Sequence, residues 1–295
     1  MKILITGANG FLGHHLVAQL LEKEHDVIAT GQGDCRLPYT GKKGFEYASL
    51  DFTDPFAVHD LFEKHQPGIV VHAGAMTQVD KCELEQWQTY LVNVEGTVTL
   101  LLNAEEQKSF FIFVSTDFVF KGDKGNYSEE DETDPVNFYG RTKAEAEEAV
   151  KEYEYDWAIV RTSLVYGKTV SGKGNIISVV KEKLEKGESY NVVDDQLRTP
   201  TYVGDLAAGI VSIIEKKAKG IYHLSGKDIL TPYGMAEQTA QYLGLNTSLL
   251  KKVTAADFSQ PAQRPLNTTF IIDKARKELG YQPLSFEEGL RKTFG

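Results

Sequence analysis

The sequence predicts an α/β protein built on a doubly wound parallel sheet, with a smaller C-terminal α/β domain. Three observations carry this. Apolar runs alternate with helical patterns through the first half of the chain. A glycine-rich turn, Gly7-Ala-Asn9-Gly10-Phe11-Leu-Gly13, joins the first apolar run to the first helical pattern. Ser115-Thr116-Asp117 closes a later apolar run, and Tyr139-Gly-Arg-Thr-Lys143 opens a helical stretch beyond it.

In chain order, residues 2–6, 26–30, 69–73 and 110–115 are short apolar runs of the kind buried parallel strands require. Between them lie helical patterns at 11–23, 55–65 and 86–107; the second opens on Asp54-Pro55, an N-cap acceptor followed by proline at the first helical position. This β–α–β rhythm implies right-handed crossovers. A helix is expected from about 137 to 153 and a strand at 156–163. After Gly167 the pattern loosens, with Gly172, Gly174 and Gly187 marking loops around a helix at 175–186. Residues 203–217 and 220–225 read as one more helix–strand unit of the sheet, and 231–243 with the segments after Leu249 as a smaller α/β cap. The expected domains are 1–166 with 195–226, and 167–194 with 227–295.

At 295 residues, 41% hydrophobic and 25% charged, the chain has the balance of a soluble globular protein with ample core. A net charge of -10 argues against a sequence-independent nucleic-acid binder, which needs a basic face. Cys35 and Cys82 form no Cys-x-x-Cys pair, as suits a reducing compartment. Met1 runs directly into a strand without a signal-peptide pattern, and no apolar stretch approaches the roughly 18 residues of a membrane span. The expectation is a cytoplasmic protein with no membrane and no nucleic-acid partner.

Glycines in the first turn let the chain bend sharply and let a pyrophosphate reach the N–H groups of the following helix, so the domain is expected to be a dinucleotide-binding Rossmann domain. NAD sites commonly end the second strand with an acid, whereas this strand ends Ala29-Thr30-Gly31-Gln32. Asp34 arrives late, and Arg36 could meet a ribose 2′-phosphate or be an ordinary surface residue. The balance favours NADP over NAD.

Tyr139 and Lys143 stand four apart, one helical turn, so both fall on one face. An ammonium held there favours the phenolate and lowers the phenol pKa toward the working range. Tyr39-Thr-Gly-Lys-Lys43 has the same spacing beside Pro38 and Gly41, where no helix is expected. Spacing alone therefore carries little, and context must supply the meaning.

That context resembles the extended short-chain dehydrogenase/reductase superfamily, and within it the dTDP-4-dehydrorhamnose reductase family, over essentially the whole chain. The resemblance rests on the glycine turn, His72-Ala-Gly-Ala-Met-Thr-Gln-Val-Asp-Lys-Cys-Glu83, Ser115-Thr-Asp-Phe-Val-Phe120 and Tyr139-Gly-Arg-Thr-Lys143. It continues through Arg161-Thr-Ser-Leu-Val-Tyr-Gly167, Asp195-Gln-Leu-Arg-Thr-Pro-Thr201 and Arg264-Pro-Leu-Asn-Thr268. It implies that Thr116 orients the substrate oxygen, that Tyr139 donates the proton, and that Lys143 tunes Tyr139 and holds the nicotinamide ribose. It further implies cofactor contacts for Gly7, Asn9, Gly10, Phe11, Gly13, Arg36, Asp51, Phe52, Ala73, Gly74 and Ala75, with Asn93 supporting a water network at Lys143. The implied activity is NAD(P)H-dependent reduction of a 4-keto nucleotide-diphosphate sugar by a homodimer. Two alternatives share these residues: a sugar-nucleotide epimerase, and a non-catalytic NAD(P)-binding regulatory subunit, since the family includes one for methionine adenosyltransferase and 196–201 is similar to that relative.

Related dehydratases follow the threonine with an Asp–Glu acid–base pair. Here the second position is Phe118, so elimination of water lacks its partner, and Asp117 is left as a substrate-contacting or structural residue. Lys173, Arg198 and Arg264 are the cations expected near a substrate diphosphate. The acidic run 129–134 and the scattered histidines have no metal-ligand spacing, and no metal site is expected.

Overall fold

The runs of the first half fold as β1 (Lys2–Thr6), α1 (Phe11–Glu22), β2 (Asp26–Gly31), β3 (Phe45–Ser49), α2 (Pro55–His65) and β4 (Ile69–His72). They continue as α3 (Val79–Leu84), α4 (Gln86–Tyr90), α5 (Gly96–Glu106), β5 (Phe110–Thr116), α6 (Phe138–Lys151), β6 (Trp157–Thr162) and β7 (Val165–Tyr166). The rest comprises α7 (Ile176–Glu185), β8 (Tyr190–Val193), β9 (Thr201–Tyr202), α8 (Val203–Lys216), β10 (Gly220–His223), α9 (Pro232–Tyr242), β11 (Leu250–Val253) and α10 (Phe286–Phe294). This computed structural model describes residues 2–169, 174–258 and 260–295.

The central sheet has seven parallel strands in the order β3-β2-β1-β4-β5-β6-β10. The order reverses direction at β1 and β4, so the carboxyl ends of these strands open a crevice, where ligands bind in such sheets. One layer buries Ile3, Ile5, Ile112 and Val160 under α1 and α8; the other buries Leu4, Val70, Phe111 and Ile159 under α2, α5 and α6. Strands covered on both faces lose their polar alternation, which is why these runs are apolar throughout. α8 buries Val203, Leu206, Ile210, Val211, Ile213 and Ile214, each contributing about 1.5–3 kcal/mol relative to exposure.

Three features depart from the pattern expected of the sequence. β3 is an edge strand whose Glu46 and Ser49 are exposed, so it shows no continuous apolar run. The expected helix at 86–107 is two helices joined through a π-helical turn, Leu91–Glu95, that carries Asn93. The short helix α3 lies inside the stretch after β4 and has too few residues to show a period. Elsewhere Asp54 caps α2 by accepting from Phe56 and Ala57 N–H, with Pro55 in the first turn. The Tyr39–Lys43 spacing falls on a turn closed by Lys42 N–H donating to Tyr39 O at 2.9 Å.

Outside the central sheet, β8 pairs with β11 and β7 with β9. Val180, Leu184, Val192, Tyr233, Ala236 and Leu250 form a separate small core between α7, α9, β8 and β11. No helix among the described residues is long and apolar enough to cross a membrane.

Candidate active site

The glycine turn packs the end of β1 against the loop after β4. Gly7 has φ 68°, and a Cβ there would fall 2.8 Å from both Ala73 O and Gly74 N, so a side chain is excluded by conformation and by space. Gly10 N–H donates to Gly7 O at 2.8 Å. α1 then begins at Phe11 with no side-chain cap, unlike α2 and α10, and with no acid in its first turn, unlike α10. Its first N–H groups are left for an anion, in the positive field of the helix. This cradle, at the sheet's crevice, fits a dinucleotide pyrophosphate.

Asn9, expected at the cofactor, spends its carboxamide within the protein. Its Nδ2 donates to Asp34 O at 3.0 Å and to the Tyr47 hydroxyl at 2.8 Å, and its Oδ1 accepts Arg36 N–H at 2.9 Å. It stitches the loop after β2 to the glycine turn, with β3 supplying the tyrosine. Arg36 is exposed on that loop and forms no ion pair among the described residues. Asp51 accepts Gln32 Nε2–H at 2.9 Å and the Thr53 N–H and hydroxyl. The Phe52 ring meets His72 edge-on, centroids 5.0 Å apart. Gly74, between Ala73 and Ala75, donates its N–H to Thr6 Oγ1 at 3.2 Å, and that hydroxyl also contacts His72 Nδ1 at 2.6 Å. Burial holds His72 neutral, far below the usual imidazole range.

Thr116 ends β5, and its Oγ1 accepts Phe118 N–H and donates to Asp117 Oδ1, each at 3.2 Å. Asn137 caps α6 by accepting Gly140 N–H at 2.8 Å and reaches Gln263 O with its Nδ2. A Cβ on Gly140 would overlap Phe118 O, so a glycine next to Tyr139 is what lets α6 press onto the Thr116–Phe118 turn. Tyr139 is thereby buried beside Thr116, its ring edge-on to Phe118.

Burial pushes the Tyr139 phenol well above its ordinary value, with the Thr116 hydroxyl pulling the other way. One turn on, Lys143 Nζ donates to Val114 O at 2.8 Å and lies 3.8 Å above the Phe113 ring. Burial pushes the amine itself down to about 7, against the pull of Glu147. The result is a phenol that keeps its proton at neutral pH.

Asp117, Arg198 and Arg264, the residues expected at or near substrate, are each engaged by other residues of the protein. Asp117 is buried and accepts the Ser163 hydroxyl at 3.0 Å and the Thr268 hydroxyl at 2.5 Å, with Arg198 Nε at 3.6 Å. Burial raises its carboxyl pKa, and these partners act against the rise. Arg198 is also buried, its fork donating to Leu197, Pro265 and Leu266 carbonyls and to Gln196 Oε1. Arg264 holds Asp80 of α3 in a two-pronged pair at 2.5 and 2.7 Å. Asp117 and Arg198, both buried, are paired and tie 195–201 and 264–268 to the end of β5, while Arg264 ties 264–268 to α3. Asn93 likewise grips Met76 through both N–H and O and reaches Thr142 at 3.1 Å, joining the loop after β4 to α6. Lys173 lies outside the described residues.

A second buried pair that no sequence pattern marks joins Glu147 of α6 to Arg161 of β6 at 2.6 Å. Among the described residues no group of three or more His, Cys, Asp or Glu side chains is placed to hold a metal ion.

A glycine cradle after β1 of a parallel sheet, with Thr116 at the end of β5 and Tyr139 and Lys143 on α6 packed against it, defines a protein of the extended short-chain dehydrogenase/reductase class. More narrowly, the chain belongs to the RmlD substrate binding domain family, whose model matches residues 1–295. It is 31% identical over 303 residues to dTDP-4-dehydrorhamnose reductase of Aggregatibacter actinomycetemcomitans, covering 98% of this chain and 97% of that one. It is 30% identical over 298 residues to methionine adenosyltransferase 2 subunit beta of Xenopus tropicalis, covering 99% and 86%. The crystal structure of dTDP-4-dehydrorhamnose reductase from Bacillus anthracis in complex with NADP superposes with a TM-score of 0.88 at 30% identity, covering 99% of this chain and 98% of that one.

Proposed function

We propose that the protein reduces a 4-keto nucleotide-diphosphate sugar with NAD(P)H, NADP being the favoured cofactor. The observation that carries this is the buried Tyr139 set against Thr116 at the end of β5, in the same parallel sheet whose β1 leads into the uncapped α1 N-terminus. Gly7, Gly10 and the first N–H groups of α1 would hold the pyrophosphate, and a bound nicotinamide supplies the hydride. Tyr139 gives its proton to the carbonyl oxygen as negative charge develops there. Thr116 hydrogen-bonds the same oxygen; donors fixed before reaction need no reorganisation when the charge appears. The Lys143 ammonium balances the phenolate left behind. Phe118 stands where a dehydratase needs a second carboxylate, so the keto sugar is reduced and not dehydrated.

The substrate's sugar and diphosphate are assigned to 167–194 and 227–295. We also place the protein in the cytoplasm, supported by two unpaired cysteines, and read it as a homodimer, supported by exposed Leu84 and Trp87 on α3 and α4. Sedimentation at micromolar concentration checks the second point.

The deciding experiment is spectrophotometric NAD(P)H oxidation with a panel of 4-keto sugar nucleotides. One equivalent oxidised per sugar is the expected result. An epimerase would show no net oxidation. No oxidation with any sugar, together with a co-purifying synthetase, would favour the regulatory reading that the subunit beta relative suggests. For cofactor choice, Arg36→Ala should weaken NADPH binding about tenfold, the loss of one charge-assisted hydrogen bond, and leave NADH binding unchanged. Equal affinities for both cofactors before and after the substitution would make Arg36 a surface residue only.

A further inference from the structure

The α6 face that carries Tyr139 and Lys143 carries one more charged group that the reduction, as described, does not use. Glu147 follows Lys143 by one turn, and both side chains are buried. Its carboxylate accepts the Ser115 hydroxyl at 2.5 Å, Arg161 Nε at 3.0 and 3.1 Å, and Arg161 Nη2 at 2.6 Å. Phe113 and Ser115 alternate onto the face of β5 that meets α6, so Lys143 lies over one while Glu147 binds the other.

Packing alone does not call for this arrangement. A buried ion pair is commonly no more stabilising than apolar residues of the same volume. Arg161 is also incompletely satisfied, since its Nη1 is buried with no hydrogen-bond partner among the described residues. Charge around Lys143 supplies the missing reason. His72 of β4 feels Lys143 but is held neutral by burial, and Arg161 of β6 is itself a cation. Cys82 of α3 acts on Tyr139; Glu83 and Tyr90 of α3 and α4 engage Phe138 and Glu145; Asp117 is paired with Arg198. Glu147 is the anion that favours the charged amine.

We propose that Glu147 is a positioning residue for this reduction: clamped by Arg161 and Ser115, its carboxylate keeps Lys143 in the ammonium form through turnover. The proposal rests on the reductase reading of Tyr139 and Lys143. An amine whose pKa is depressed loses its proton as pH rises past that value, so removing the carboxylate moves the loss to lower pH.

The test compares wild type with E147Q/R161M, which removes both charges at similar volume, and with E147Q alone. E147Q alone should be the least stable, because Arg161 is left buried and unpaired. The double variant should fold, bind NADPH, and approach wild-type kcat only at about pH 5, below both titrations. Its alkaline decline should begin about one unit lower, a roughly tenfold loss of kcat on the alkaline side. If the double variant does not fold, E147D withdraws the charge by one methylene, and ¹⁵N-lysine NMR of wild type and E147D should give a smaller downward shift in the Lys143 titration. A folded double variant with the wild-type pH profile overturns the proposal. So does a kcat loss equal at every pH, or an NMR titration that E147D leaves in place. Absence of turnover in wild type overturns the reductase reading instead, and the NMR titration then decides the effect of Glu147 on Lys143 by itself.

Discussion

Tyr139→Phe lowers kcat by about 10²–10⁴-fold, the range removed with a general acid, and leaves NADPH affinity near wild type. The substitution deletes one oxygen from a buried ring that keeps its edge-on contact with Phe118. No cavity larger than a hydroxyl forms, so the fold should persist. The loss falls on kcat because the phenol's proton is transferred only as the carbonyl oxygen gains charge, an interaction stronger in the transition state than in the ground state. Burial raises the phenol pKa, which keeps the donor protonated across neutral pH and makes its conjugate base costly. That cost must be met by Thr116 and by Lys143 as ammonium, so Thr116→Val should repeat part of the kcat loss. Single-turnover NADPH oxidation with the keto sugar measures both. Turnover within threefold of wild type in Tyr139→Phe would remove the residue from the proton-transfer role.

Much of this site was legible because it sits on elements with strong sequence signals. β1, β2, β4 and β5 are covered on both faces, and continuous apolar runs mark them without ambiguity. The glycine turn is forced by sterics at Gly7, and the Tyr139–Lys143 spacing by helix geometry, so both survive translation from sequence to space. Gly140 carried information that went unused: its lack of a side chain sets how close Tyr139 comes to Thr116. β3 was illegible because an edge strand may alternate polar and apolar residues over only five positions. The π turn at Asn93 was illegible because one inserted residue in the hydrogen-bond register leaves the hydrophobic period almost unchanged. The partners of charged residues left no local signal. The motifs around Arg198 and Arg264 point to a substrate diphosphate and leave Asp117 either substrate-contacting or structural, while the fold holds all three in ion pairs within the protein. Their partners lie far along the chain, Asp80 standing 184 residues from Arg264. Glu147 and Arg161 are only 14 apart, yet one is on a helix and the other on a strand, and no periodicity joins them.

Asp117→Ala is expected to destabilise the protein by about 3–5 kcal/mol, the usual result of removing one partner from a buried pair, out of a total near 5–15 kcal/mol. Arg198 would lose the one carboxylate it pairs with among the described residues, leaving the weaker pull of Asp195, and the Thr268 and Ser163 hydroxyls would lose their acceptor. Water cannot easily repair this, because Asp117, Arg198, Thr268 and Ser163 are all buried. The damage extends to catalysis, since the Thr116 hydroxyl is held by Asp117 at one side and by Phe118 N–H at the other. Asp117→Asn preserves the shape and one acceptor oxygen but removes the charge facing Arg198, so it should fall between wild type and Asp117→Ala. Urea denaturation of the three proteins orders their stabilities, and kcat at a temperature where all are folded reads the effect on Thr116. A stability loss below about 1 kcal/mol, the worth of one ordinary hydrogen bond, would mean that Arg198 finds its charge balance elsewhere. Asp117 would then be free to serve the substrate directly. With the expected loss, the aspartate that dehydratases use for acid–base chemistry is here a strut between the catalytic threonine and the segments 195–201 and 264–268. That is the physical reason a reductase can retain it while Phe118 replaces its partner.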